Sequence, residues 1–159
     1  MPATSALTHY ALLTAMLAPA FFLTATASLL MSANNRLARV IDRARALLKE
    51  LSETDDPAEI ALIEKWIVLQ RTRSTIILRG SQLLYVAIAF FVATSLMVAA
   101  DSAFGYRFGM LPTALAVCGV LAIFAASVLL AREASLAVAA VNEEMDHRHA
   151  KAKWRPPAA

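Results

Sequence analysis

The sequence predicts an all-α integral membrane protein: three transmembrane helices, a cytoplasmic antiparallel helical hairpin and a helical C-terminal extension. Three observations predict it. Residues 1–35, 80–100 and 108–131 contain no Asp, Glu, Lys or Arg, and each block reaches the roughly 20 residues that a helix needs to cross about 30 Å of hydrocarbon. Between the first two blocks lie two amphipathic stretches at helical spacing, separated by a strong helix-start signal. The basic residues, finally, are not scattered. Nine of the fifteen Lys and Arg lie between blocks one and two, five follow block three, and Arg107 alone lies between blocks two and three.

Composition agrees with that reading. Of 159 residues, 59% are hydrophobic, against about 45–50% in a soluble domain, and the mean hydropathy is +0.59. A formal charge of +3 and a pI near 9.4 would suit nucleic acid, but the distribution follows the bias of positive side chains toward the cytoplasmic side. No nucleic-acid partner is expected. The N-terminus and the 101–109 loop should face out, and the 33–79 segment and the C-terminus in. A secretory signal in the first block would need a basic leading region. Residues 1–10 hold no Lys or Arg, and only small residues such as Ala25 and Ala27 resemble a cleavage site. Cys118, the single cysteine, falls in the third block and is expected to pack as a small apolar residue.

Residues 1–10 form the extracytoplasmic N-terminus, with Tyr10 as an interfacial anchor beside His9. Transmembrane helix 1 covers 11–32. Pro19 removes one backbone hydrogen bond there, which neighbouring helices or waters can make good. Ala20, Thr24, Ser28 and Ser32 follow at a spacing of four on one face. Small residues at that spacing allow close helix packing in lipid, and a row of hydroxyls can equally line a water-filled path. Both readings stand.

The hairpin covers 33–79. Its first helix has an apolar stripe of Leu37, Val40, Ile41, Ala44, Leu47, Leu48 and Leu51, with Arg36, Arg39 and Arg43 on a different face. Residues 52–56 break the helix. Asp56 as N-cap, Pro57 in the first turn and Glu59 three residues after the cap start the next. Ile60, Ile63, Ile67, Gln70, Ser74 and Ile77 then alternate at three and four, as a helix–helix seam does. Arg71, Arg73 and Arg79 fall near the anionic headgroups.

Transmembrane helix 2 covers 80–100. In the extracytoplasmic loop 101–109, Phe104, Tyr106 and Phe108 suit an outer aromatic belt. Transmembrane helix 3 covers 110–131, with Pro112 in its first turn. A cytoplasmic helix over 132–149 continues the pattern through Leu136, Val138 and Val141 and can pack on the hairpin, and residues 150–159 form a disordered tail.

LAPAFFLTATASLL followed by NNRLARVIDRARAL resembles the opening of the bacterial membrane proteins grouped as the "domain of unknown function 2721" family. QRTRSTIILR leading into the second span and LLAREASLA ending the third are similar as well, so the resemblance runs from about residue 12 to residue 141. It implies a small multi-pass membrane protein with a cytosolic helical hairpin; the expected location is the bacterial inner membrane. It implies no catalytic residue and no cofactor.

The chemistry of known sites is missing. No glycine-rich phosphate loop, cysteine pair or HExxH-type signature occurs. Glu143 and His147, four apart, can share a metal ion on one helix face, but they sit in a run of polar residues at a helix end, and a solvated end is the simpler reading. No charged residue lies deep in a span, which weighs against a proton-coupled transporter. No enzyme is expected. The first functional expectation is a homo-oligomeric ion channel. Ala20, Thr24, Ser28, Ser32 and Asn35 would face its path, with Arg36, Arg39 and Arg43 ringing the inner mouth. The alternative is a membrane-anchored scaffold or regulator that binds a cytoplasmic protein partner or anionic membrane lipid through the same arginines.

Overall fold

The computed structural model describes the backbone of residues 2–105 and 108–153, and the side chains of residues 14, 17–105, 108–146 and 149. The side chains of His9, Tyr10 and His147, and all of Tyr106, Arg107 and residues 154–159, lie outside the described residues. With them go the expected Tyr10 anchor, part of the aromatic belt, half of the metal candidate and most of the expected tail. Among the described residues there are three helices and no strand: α1 Pro2–Glu53, α2 Pro57–Ala103 and α3 Leu111–Lys153.

Each helix joins an apolar half to a polar half without interruption. With 52, 47 and 43 residues at about 1.5 Å each, they extend roughly 78, 70 and 65 Å. That is at least twice the thickness of hydrocarbon, and all three are long and apolar enough to cross a membrane. α1 passes through a buried Pro19 and through Asn34–Asn35 unbroken, since neither Gly nor Pro marks the change in polarity.

The turns are as local as their residues. The Ser52 and Thr54 hydroxyls donate to the carbonyls of Lys49 and Glu50, at 2.7 and 2.9 Å, and satisfy acceptors that the end of α1 leaves open. The Asp56 carboxylate accepts from the Ala58 N–H at 3.0 Å, with Pro57 opening α2. At the other end, the Asp101 carboxylate accepts from the Phe108 N–H at 2.8 Å and ties the last turn of α2 to the approach of α3. Gly105 and Gly109 have φ of 76° and 52°, a region that only glycine enters without strain.

α2 is the middle helix. It packs along both neighbours, whereas α1 and α3 approach each other at only a few positions. Most of the buried residues among those described repeat every seven, Ser81 and Ala122 being the exceptions. α1 contributes Pro19, Thr26, Ala33, Val40 and Leu47. α2 contributes Ile63, Gln70, Ile77, Leu84 and Phe91 in one row, and Trp66, Gly80, Ala87 and Thr94 in a second that passes through half-buried Arg73. α3 contributes Gly119, Ala126 and Glu133. This is the 3.5-residue period of left-handed helix packing. Most of the apolar surface lies elsewhere: only 17%, 22% and 17% of the three most apolar windows are buried within the chain.

Phe91 shows how tight the seam is. Its ring stacks on Phe22 of α1, with centroids 5.1 Å apart and planes 7° from parallel, and its other side lies against Gly119 of α3. A Cβ on Gly119 would meet the ring at 2.8 Å. Gly119→Ala should therefore push Phe91 off Phe22 and cost roughly 1–3 kcal/mol, and Gly119→Val should cost more. Denaturant unfolding in mixed micelles checks the order, and unchanged stability in both variants contradicts this packing.

Candidate functional site

The three polarity changes fall at one level. α1 leaves its apolar half at Asn35 and presents Arg36, Arg39 and Arg43. α3 leaves its own at Arg132 and Glu133. α2, antiparallel to both, carries Gln70 and Arg73 just before its apolar half begins.

Glu133 is the centre of the arrangement. It is 2% exposed and sits on the seven-residue row of α3, so its carboxylate points at α2 rather than at solvent. One oxygen accepts from Arg73 Nε at 3.0 Å and Nη2 at 2.9 Å. The other lies 3.6 Å from Arg36 Nη1. Arg73 in turn donates from Nη1 to Gln70 Oε1 at 3.3 Å. One carboxylate thus binds all three helices together, and the charges buried with it are paired, as burial requires. Further along, Arg43 pairs with Glu144 and Lys65 with Glu143, which fastens the polar half of α3 to the hairpin.

Beside Glu133, between α1 and α3, opens a cleft of about 390 Å³ walled by Arg36, Arg39, Arg43, Gln70, Arg73, Glu133 and Glu144, with Ala134, Ala137 and Ala140 on the α3 side. Four arginines against two glutamates leave a formal excess of two positive charges. Arg39 is exposed and has no carboxylate within ion-pair distance among the described residues, whereas Arg36, Arg43 and Arg73 each have one. Chemically the cleft suits an anion with several oxygens.

The other expected site residues fall elsewhere. Ala20, Thr24, Ser28, Ser32 and Asn35 are all exposed and line no path within one chain. Thr24 and Ser28 donate to the carbonyls four residues back, each at 3.1 Å, so their hydroxyls are satisfied without water. Ser32 borders a smaller groove next to the arginine cleft. Glu143 is engaged by Lys65, and no group of three potential metal ligands occurs among the described residues.

The family model described as "Protein of unknown function (DUF2721)" matches residues 16–143, which span all three helices. The chain belongs to the DUF2721 family. No curated protein and no solved structure matches it. The match takes in every cleft residue except Glu144, so the cleft lies within the family's shared region.

Sequence reasoning named three of the cleft arginines in this DUF2721 protein and placed Gln70 in the seam, where it is buried, but it took Arg73 as a headgroup neighbour and gave Glu133 no part in any candidate site. The usable signal was spacing: Glu133 follows Gly119 and Ala126 at intervals of seven, as Gln70 follows Ile63. Glu133→Ala should cost about 3–5 kcal/mol, because it strands Arg73 beside a buried void. Joint replacement of Glu133 and Arg73 by Leu should recover most of that loss. Unfolding in mixed micelles measures both, and a double variant no more stable than Glu133→Ala contradicts the pairing.

Proposed function

We propose that this DUF2721 protein is a membrane-anchored scaffold or regulator that holds an anionic group, borne by a lipid or a partner protein, in the arginine cleft between α1 and α3. The basic half would face the cytoplasm of a bacterial inner membrane, following the bias of positive side chains. The observation that carries the reading is the convergence of Arg36, Arg39 and Arg43 with Arg73 on one cleft, with Arg39 left unpaired among the described residues. An anion there would meet several donors at once at the membrane boundary, where each arginine contributes roughly 1 kcal/mol toward an anionic surface.

A homo-oligomeric pore lined by α1 is the second reading, favoured by the exposure of Thr24, Ser28, Ser32 and Asn35. The row does not run straight. Steps of four residues overshoot a helical turn by about 40°, so from Ala20 to Ser32 it winds roughly 120° around α1. A straight path would meet only part of it.

Joint replacement of Arg39 and Arg43 by Glu tests the binding reading. The variant should keep its helix content and lose the anionic lipid or protein that co-purifies with the wild type. Co-purification at the wild-type level overturns the reading, and selective ion flux from the wild type in liposomes, altered by Ser28→Phe, favours the pore. A reporter fused after residue 159 should be cytoplasmic, and an extracellular reporter reverses the proposed orientation.

A further inference from the structure

We propose that the cleft's occupant is a single anionic phospholipid, with its phosphate on Arg36, Arg39 and Arg43 and one acyl chain in the groove along Leu29, Ala33 and Leu130. This rests on the binding reading above and names the ligand.

Two cavities run into one another here. A second groove of about 190 Å³ adjoins the arginine cleft, and Arg36 and Ala134 belong to the walls of both. Its remaining walls are Leu29, Ser32 and Ala33 of α1 and Ser127, Leu130 and Ala131 of α3. All six are uncharged and lie in the last turns of two apolar helix halves, at the depth where acyl chains begin. The combined cavity thus passes from apolar to strongly basic along the direction in which a lipid passes from chain to phosphate.

Charge selects among lipids. Glu133 is engaged by Arg73 and Glu144 by Arg43, and Arg39 remains available to an incoming phosphate. A zwitterionic lipid would bring its ammonium group against arginines, whereas an anionic one brings a net negative charge. A soluble phosphate ester would use the basic mouth and leave the groove vacant. The small residues Ala33, Ala131 and Ala134 leave the space for a chain that larger side chains would fill.

The test uses the full chain purified in a neutral detergent. Short-chain phosphatidylglycerol, phosphatidylcholine of equal chain length, glycerol phosphate and inorganic phosphate are titrated separately, with thermal unfolding as the readout. Phosphatidylglycerol alone should give a saturable rise in Tm. Arg39→Ala should weaken its apparent Kd about fivefold. Ala131→Trp should abolish the effect by filling the groove, and Leu29→Ala, which adds no bulk, should weaken it more mildly. Arg45→Ala, an exposed arginine outside the cleft, should change nothing.

If glycerol phosphate matches phosphatidylglycerol, the lipid assignment falls while the anion-binding cleft stands. If no compound raises Tm, both fall. A phosphatidylglycerol response that survives both Arg39→Ala and Ala131→Trp, or that Arg45→Ala weakens equally, places the lipid elsewhere and overturns the proposal.

Discussion

Three helices of 43 to 52 residues stay in register along their length because the side chains between them recur every seven positions. An unwound α-helix drifts by about 20° per heptad against such a repeat, so the contact persists only if the helices wind gently around each other. α2 bears the constraint twice. The row from Ile63 to Phe91 meets α1 through Leu47, Val40 and Ala33. The second row meets α3 from Arg73 to Ala87, with Arg73 against Glu133, Gly80 against Leu130 and Ala87 against Ala122, whereas Trp66 packs with Leu47 of α1. Gln70 and Arg73 are placed by these two rows, and Glu133 by the row of α3 that faces them.

The polar layer is the clearest case. Gln70 and Arg73 occupy seam positions of α2, and Glu133 the facing position of α3. Apolar residues there would avoid the cost of desolvating two charges, which the attraction within a buried pair often fails to offset. What the pair adds is register. If α3 slid along α2 by one heptad, Glu133 would face Gly80 or Trp66 in place of Arg73, a carboxylate buried with no cation. The apolar layers on either side, built of Ala, Ile and Leu, would tolerate that slip far better.

The helix count, the apolar halves and the cap at Asp56 are legible in the sequence, because each depends on local composition or on a few adjacent residues. The facing of each helix is less so. In α1 the conspicuous row is Ala20, Thr24, Ser28 and Ser32, yet the buried row is Pro19, Thr26, Ala33, Val40 and Leu47. Residue size does not choose between them, because the position of α2 does. Glu133 is hidden for a related reason. A charged residue one step beyond an apolar block looks the same in sequence whether it turns to water or continues the seam. That Arg36, Arg39 and Arg43 share a face follows from their spacing. That α3 closes this face into a cleft depends on residues about a hundred positions away.

The cleft stays open because α1 and α3 are joined by long side chains and not by close packing. In water, the apolar walls along Leu29 and Leu130 would be driven into contact. Between helices in hydrocarbon that drive is absent, since lipid tails are as apolar as leucine, and association depends on packing and on polar contacts. α1 and α3 have little of the first, because alanines line much of the α3 side. They do have polar contacts, Arg36 with Glu133 and Arg43 with Glu144, and these act across the reach of an arginine side chain. The width of the opening is therefore set by the length of the arginines that span it, and the same side chains that tie the two helices across the opening are those that line its mouth.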